Sequence, residues 1–81
     1  METGYVLLAA RPGRKKSLFS RLKKVKGVTV VRLVIGSFDI VVKIEGETIT
    51  ELEKIYFNEV DKIPSVAHSR LCLVACPRTR K

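Results

Sequence analysis

The sequence predicts an α+β domain with the element order β-α-β-β-α-β, and three observations lead to that prediction. Four short apolar runs, most of them rich in β-branched residues, have the length and composition of strands. Two other segments place apolar residues at helical spacing among charged ones. Turn residues such as glycine and proline separate the six segments. Two split βαβ units around a central hairpin define a ferredoxin-like fold, in which two helices cover one face of a four-stranded antiparallel sheet.

Local patterns give the bounds of the six elements. We predict strands over residues 5–10, 28–35, 39–44 and 66–75, and helices over residues 14–25 and 48–63. Gly27 ends the first helix, because glycine accepts the left-handed backbone of a helix C-cap. Thr48 and Glu51 match a capping box at the start of the second helix, and Pro64 ends that helix. The short turn at Gly36-Ser37 predicts an antiparallel hairpin between the second and third strands.

The predicted strands carry more apolar surface than helices on one face of the sheet can cover. A sheet with one face in water normally alternates apolar and polar residues, whereas the runs YVLLAA, VTVVRLVI and LCLVA are apolar on both faces. Large exposed apolar patches usually mark interfaces. We therefore predict that the domain dimerises through the face of the sheet that the helices leave open.

Length and composition indicate one small domain with few chemical functions open to it. The 81 residues are 46% hydrophobic and 30% charged, and we assign residues 1–81 to one domain with a core at about 4–75 and a basic tail at 76–81. The single histidine and the lack of a nucleophile motif predict no enzyme, no catalytic residue and no cofactor. The sequence shows neither a secretion signal nor an apolar run of about 20 residues, so we expect a cytoplasmic protein without a membrane partner.

Charge is unevenly distributed along the chain, whose formal net charge is +8. Residues 11–26 contain eight basic residues and no acidic one, whereas residues 45–62 contain six acidic residues and two basic ones. The basic helix at 14–26 is therefore a candidate for binding a phosphate backbone, although a charged helix face is more often plain solvated surface. An RNA-recognition sheet is not favoured, because the aromatic residues of its motif do not follow Lys26-Gly27.

His68, Cys72 and Cys76 are the candidates for metal or redox chemistry. On one strand these residues follow each other at intervals of about 13 Å. That spacing is too large for one metal ion and for a disulfide between Cys72 and Cys76 of the same chain. We therefore predict no metal site, and a bridge between two chains stays open.

Several motifs together resemble the RAM domain, the effector-binding and oligomerising half of the leucine-responsive/asparagine-regulator (Lrp/AsnC) family of transcription regulators. The resemblance covers the chain from about residue 4 to 75 and is carried by Pro12-Gly13, Lys26-Gly27-Val28, Ile63-Pro64-Ser65-Val66 and, most specifically, Gly36-x-x-Asp39 before an apolar strand. Members of the family normally carry an N-terminal helix-turn-helix, which precedes the RAM domain. This sequence begins at the RAM-like part, so we expect no helix-turn-helix and no sequence-specific DNA binding.

The resemblance implies both an assembly and a site. It implies dimers that form a higher ring such as an octamer, with a small effector, often an amino acid, bound between dimers. The effector-binding residues that it implies are Gly36, Ser37, Phe38, Asp39 and Ser69, whereas Leu71 stands where many members have threonine. On its own pattern, Gly36–Asp39 fits an ordinary hairpin turn as well as a ligand loop.

The resulting hypothesis is a non-enzymatic effector-binding and oligomerisation module that modulates transcription regulators of its family, full-length relatives included. Two alternatives stay open at this point. One is a nucleic-acid-binding domain that uses the basic helix at 14–26, and the other is a purely structural oligomerisation module.

Overall fold

A central strand organises the sheet and pairs on both of its sides. In the computed structural model, which describes residues 2–73, this strand is β1 (Glu2–Ala10). The order across the sheet is β2 (Val28–Leu33), β3 (Ile40–Gly46), β1 and β4 (Val66–Leu73). Strand β1 pairs antiparallel with β3 and β4, and β2 pairs antiparallel with β3. The predicted ferredoxin-like topology is confirmed.

Two helices pack on one face of this sheet and enclose the core. Helix α1 spans Lys15–Leu22, and helix α2 spans Ile49–Ile55 and continues as a π-helical turn, Tyr56–Val60. The burial of β3 alternates residue by residue, which is the signature of a strand with one face against the core. The buried apolar residues are Val6, Leu8, Leu18, Leu22, Ile40, Val42, Ile44, Leu52, Tyr56, Val60 and Ile63.

Helix α1 ends at Leu22 and not at residue 25, where the sequence analysis placed its end. The amide of Lys24 donates to the Arg21 carbonyl at 3.1 Å and that of Val25 to the Leu22 carbonyl at 3.2 Å. These bonds to the third preceding residue tighten the chain out of the α-helix. Gly27 has a φ of +97°, the left-handed backbone predicted for it, but it lies five residues beyond Leu22, so the prediction that it caps α1 is wrong. A Cβ at this position would lie 2.5 Å from Ile55 Cδ1, so the end of the Ile55 side chain would have to move to accept it.

The start of α2 has the predicted cap, but its end does not follow the prediction of one regular helix to residue 63. Thr48 Oγ1 accepts from the Glu51 amide at 3.1 Å, whereas the Glu51 carboxylate accepts from the Glu47 amide rather than from that of Thr48. The amide of Asp61 donates to the Tyr56 carbonyl at 2.7 Å. That bond to the fifth preceding residue defines a π-helical turn. The predicted strand end at 74–75, the tail 76–81 and Cys76 lie outside the described residues.

Candidate functional site

The loop between β2 and β3 contains four of the five predicted effector residues. It runs from Val34 to Asp39, longer than the predicted two-residue turn, and is closed by a 2.8 Å bond from the Val34 amide to the Asp39 carbonyl. Gly36 has a φ of +139°, where a side chain would be strained. Ile35, Gly36 and Ser37 are exposed. We call residues 34–39 the hairpin loop; its tip projects into solvent.

Asp39 fixes this loop to the central strand. One carboxylate oxygen accepts from the Ala10 amide at 2.9 Å, and the Asp39 amide donates to the Leu8 carbonyl at 2.8 Å. The backbone pairing of β1 with β3 ends at Leu8 and Ile40, so the carboxylate supplies a partner for the next stretch of β1. The other carboxylate oxygen lies 3.6 Å from Lys15 Nζ. A ligand ammonium group would therefore compete with Lys15 for one oxygen of Asp39.

Ser69, the fifth predicted residue, belongs to a chain of hydrogen bonds under the helices. Its Oγ donates to Asp61 Oδ1 at 2.9 Å and lies 2.7 Å from the Tyr56 hydroxyl. Because a serine hydroxyl has one hydrogen, Tyr56 is the donor of the second bond. This chain ties β4 to the π-helical turn, so Ser69 has an internal structural role in one protomer.

The hairpin loop and Ser69 do not converge within one protomer. Leu8 of β1 pairs with Ile40 on one side and with Ser69 on the other. Neighbouring strands lie about 4.8 Å apart, so the start of β3 and Ser69 are separated by about 10 Å. A common site for the five predicted residues would need contributions from more than one copy of the chain.

A cavity that the sequence analysis did not identify lies beside the hairpin loop. It has a volume of about 580 Å³, and its lining residues are Gly13, Lys15, Lys16, Phe19 and Leu33. We call it the Phe19 cavity. Its volume lies within the range of about 300–1,000 Å³ that is common for small-molecule sites. Its walls are almost wholly apolar, so Lys15 and Lys16 line it mainly with their aliphatic chains, and the ammonium group of Lys15 contacts Asp39. The sequence pattern places Phe19 in a helix and Leu33 in a strand, where such residues normally pack inside. It therefore does not predict that they line a cavity.

The sheet face opposite the helices is the second candidate region, which we call the open face. Residues directly opposite each other in an antiparallel pair share a face. Leu7 is opposite Val41 and Arg70, and Tyr5 is opposite Lys43 and Cys72. On β1 and β3 these positions alternate with buried residues of the helix-covered face. The other residues placed on the open face by the strand register are Thr3, Ala9, Val30, Arg32, Glu45 and His68.

The open face has an apolar centre and charged edges. Tyr5 is 38% exposed, and Leu7 and Val41 are half-buried. Arg32 and Arg70 lie on the two edge strands, in the same row as Leu7 and Val41. The structure thus places a cluster of apolar side chains on the face that the sequence analysis assigned to an interface.

Of the residues considered for metal binding, the two that the structure describes, His68 and Cys72, do not gather into a site. His68 and Cys72 are both exposed on β4, four residues apart on one strand. Residues 2–73 contain no group of three or more histidine, cysteine or acidic side chains placed to hold a metal ion. In the same part of the chain, neither helix is long and apolar enough to cross a membrane.

Comparisons with solved structures give the same fold. A protein from Thermus thermophilus aligns with a TM-score of 0.88 at 22% identity, covering 94% of this chain and 95% of that one. Escherichia coli AsnC aligns with a TM-score of 0.85 at 16% identity, covering 93% of this chain and 51% of AsnC. A transcriptional regulator from Neisseria meningitidis, solved as its L-Met complex, aligns with a TM-score of 0.82 at 9% identity over 93% of this chain and 50% of that one. Identities this low show the fold alone.

Sequence similarity identifies the family to which the chain belongs. The sheet topology, the hairpin loop beside a cavity and the partly apolar open face fit a small regulatory ligand-binding domain. Residues 3–76 match the sequence profile described as the Lrp/AsnC ligand binding domain, and the chain belongs to this family. The family consists of regulatory ligand-binding domains of transcription regulators and is not an enzyme family. None of the curated proteins matches the chain significantly.

Proposed function

We propose that this domain pairs with a second copy through the open face, binds a small amino-acid effector beside the hairpin loop, and thereby modulates transcription regulators of its own family in the cytoplasm. The observation that carries the proposal is the apolar centre of the open face, at Tyr5, Leu7 and Val41, which no element of the described chain covers. Full burial of one such aliphatic side chain stabilises by about 1.5–3 kcal/mol. Pairing two copies would bury these three side chains in each copy.

Light scattering after size-exclusion chromatography tests the dimer. We expect a particle of at least twice the chain mass of 9.1 kDa at micromolar concentration. Leu7→Lys places a charge at the centre of the open face and should give a folded monomer. Thr50→Lys, which adds the same charge at an exposed position of α2, should leave the assembly intact. A monomeric wild-type protein would remove the dimer from the proposal.

The chemistry around the Phe19 cavity supports an amphipathic effector with a carboxylate. Lys15 and Lys16 supply cations for the carboxylate, and Phe19 and Leu33 supply apolar surface for a side chain. The Asp39 oxygen that contacts Lys15 would accept from an ammonium group that replaces this lysine. An amino acid has all three features, and the Neisseria meningitidis relative was solved with L-Met.

The hairpin tip supports assembly beyond the dimer. Ile35 is fully exposed and Leu33 is 59% exposed, and two such side chains side by side favour contact with another surface. A ring of dimers, such as an octamer, would bring the hairpin loop of one protomer to a neighbouring copy. Gly36 and Ser37, which are exposed in one protomer, would then contact an effector held between copies, with Phe38 beside them.

Calorimetric titration with a panel of amino acids tests the site. Asp39→Asn retains an oxygen that can accept from Ala10 but removes the charge that would bind an ammonium group. We expect its affinity to be at least about tenfold weaker, equivalent to about 1.4 kcal/mol. Glu53→Gln removes the same charge at an exposed position of α2 and should bind as the wild type does. Equal affinity in Asp39→Asn and wild type would exclude the Asp39 carboxylate from the site.

One observation favours a second candidate, a purely structural oligomerisation module. Asp39 already contacts Ala10 and Lys15, and Ser69 already bonds Tyr56 and Asp61. Under this candidate the protein forms dimers, but titration with amino acids at millimolar concentration gives no heat of binding. Titration of a full-length family regulator with the domain, followed by light scattering, tests whether mixed assemblies form.

A further inference from the structure

The eight basic residues of the segment 11–26 lie in and around α1, with Arg14, Arg21 and Lys24 on the side of Pro64 and Lys15 and Lys16 on the side of Leu33. These residues are Arg11, Arg14, Lys15, Lys16, Arg21, Lys23, Lys24 and Lys26, and every one of them is exposed. We call this set the basic surface. Within residues 2–73, only Lys15 among them forms an ion pair with an acidic side chain. The other seven form no ion pair within 4 Å in this part of the chain, although Arg21, Lys24 and Lys26 line a cavity that Glu45, Glu51 and Glu59 also line.

Part of the basic surface is shaped as a groove that contains hydrogen-bond donors and cations together. Arg14, Arg21 and Lys24 line a groove of about 440 Å³ along α1, and no acidic residue lines it. Three hydroxyl groups lie in the same groove, those of Ser17, Ser20 and Ser65. Guanidinium, ammonium and hydroxyl groups are the side chains that contact phosphate oxygens in protein–DNA complexes.

We propose that the basic surface binds the phosphate backbone of double-stranded DNA without reading its sequence. Leu18 and Leu22 hold α1 against the sheet and are fully buried, so the helix presents only its outer side, where the groove is lined by cations and serine hydroxyls. The contacts available from its outer side are those to phosphates. The proposal extends beyond effector binding and does not depend on it.

The distribution of apolar residues distinguishes duplex DNA from membranes and single strands. A helix that binds an anionic membrane needs exposed apolar side chains of its own beside its cations, whereas Leu18 and Leu22 of α1 are buried and Phe19 is half-buried; the exposed Leu33 and Ile35 belong to β2 and to the hairpin loop. Single-stranded nucleic acid is held by stacking on aromatic rings. The exposed aromatics of the described chain, Tyr5 and Phe57, lie on the open face and on the π-helical turn.

The proposed dimer leaves the basic surface free. The helices lie on the sheet face opposite the open face, so a dimer formed through the open faces presents two basic surfaces outward. From Arg14 to Lys24, just beyond the two ends of α1, ten helical steps of about 1.5 Å span about 15 Å. One DNA strand presents a phosphate about every 3.4 Å along the axis, so three contacts from Arg14, Arg21 and Lys24 fit this length.

Salt dependence gives the expected size of the effect. Three phosphate contacts predict a slope of about −2.7 for the logarithm of the association constant against that of salt concentration. Affinity per protomer then falls by about 40-fold between 50 and 200 mM salt.

Fluorescence anisotropy with a labelled 30-base-pair duplex of arbitrary sequence tests the proposal. The double variant Arg21→Gln/Lys24→Gln should reduce the magnitude of the salt slope by about 1.8 per protomer, because two phosphate contacts are lost. The matched variant Lys54→Gln/Lys62→Gln removes two charges from exposed positions of the acidic segment and should keep the wild-type slope. Circular dichroism and light scattering establish that both variants fold and assemble as the wild type does.

Three results would overturn the proposal. The first is the lack of any anisotropy change with wild-type protein at 50 mM salt. The second is an equal loss of slope in both double variants, which would show a response to net charge rather than to this surface. The third is equal or tighter binding to phosphatidylserine vesicles at the same salt, which would assign the surface to membranes. None of these results bears on the dimer or on the effector site, which are tested separately.

Discussion

The contacts of Asp39 predict a large effect of a single substitution on stability. Asp39→Ala removes the acceptor of the Ala10 amide, and a hydrogen bond to a charged group contributes about 1.5–3 kcal/mol. It also removes the pair with Lys15, whose side chain is 54% exposed while that of Asp39 is 31% exposed. Such a solvated pair adds at most about 1 kcal/mol. We expect Asp39→Ala to lower the free energy of unfolding by about 2–3 kcal/mol.

Two further variants separate the hydrogen bond from the charge. Asp39→Asn keeps an acceptor for Ala10 and should lower the free energy of unfolding by less than about 1.5 kcal/mol. Lys15→Gln removes only the ion pair and should change it by about 0.5 kcal/mol or less. The order of the three effects is therefore Asp39→Ala, then Asp39→Asn, then Lys15→Gln.

Urea unfolding followed by circular dichroism measures these differences, at one fixed chain concentration because association stabilises the folded state. For a domain of this size, 2 kcal/mol corresponds to a shift of about 8–16 °C in melting temperature. Glu53→Ala, at an exposed position of α2, is the control. If Asp39→Ala is no less stable than this control, Asp39 does not anchor the hairpin loop and the reasoning fails.

Three other substitutions, each measured by urea unfolding, test separate features of the fold. Gly27→Ala should destabilise by about 2–4 kcal/mol, because it adds a clash with Ile55 to the strain of a left-handed residue. Gly13→Ala, with a φ of +75° and open space around it, should show only the strain, about 1–2 kcal/mol. Equal effects of the two substitutions would contradict the packing argument. Ser69→Ala should destabilise by about 1–3 kcal/mol because two side chains lose their partner, and a neutral result would show that this chain of bonds is not formed. Leu71→Thr, which restores the residue common in the family, should destabilise by about 1–3 kcal/mol because Leu71 packs against the core, and a stabilised variant would contradict that contact.

Regular elements were predictable from the sequence because their signals are local. The apolar runs gave the four strands in order, and the Thr48 cap and the left-handed Gly27 lie where the sequence indicated. The end of α1 was not predictable, because Val25 keeps the helical spacing although the backbone has already tightened at Lys24. The π-helical turn at Tyr56–Val60 has no marker of its own in a sequence that favours a continuous helix.

The residues of the candidate site were predictable from the sequence, but their arrangement in space was not. Hairpin residues usually bond to their own neighbourhood, whereas Asp39 bonds to Ala10, 29 positions away. The Phe19 cavity depends on Gly13 and Leu33, which come together only when α1 is docked beside β2. Such contacts arise from the tertiary fold, and local sequence patterns do not contain them.

The ion pair between Lys15 and Asp39 connects the two regions for which we propose ligands. Lys15 is a member of the basic surface, and Asp39 holds the hairpin loop. An effector ammonium group that replaces Lys15 at Asp39 adds one unneutralised cation to the surface that faces DNA. Coupling between two binding equilibria is reciprocal. Release of Lys15 from Asp39 would favour both the effector ammonium group and a DNA phosphate, whereas a bond from Lys15 to the effector carboxylate would oppose DNA binding, so this one side chain couples the two equilibria.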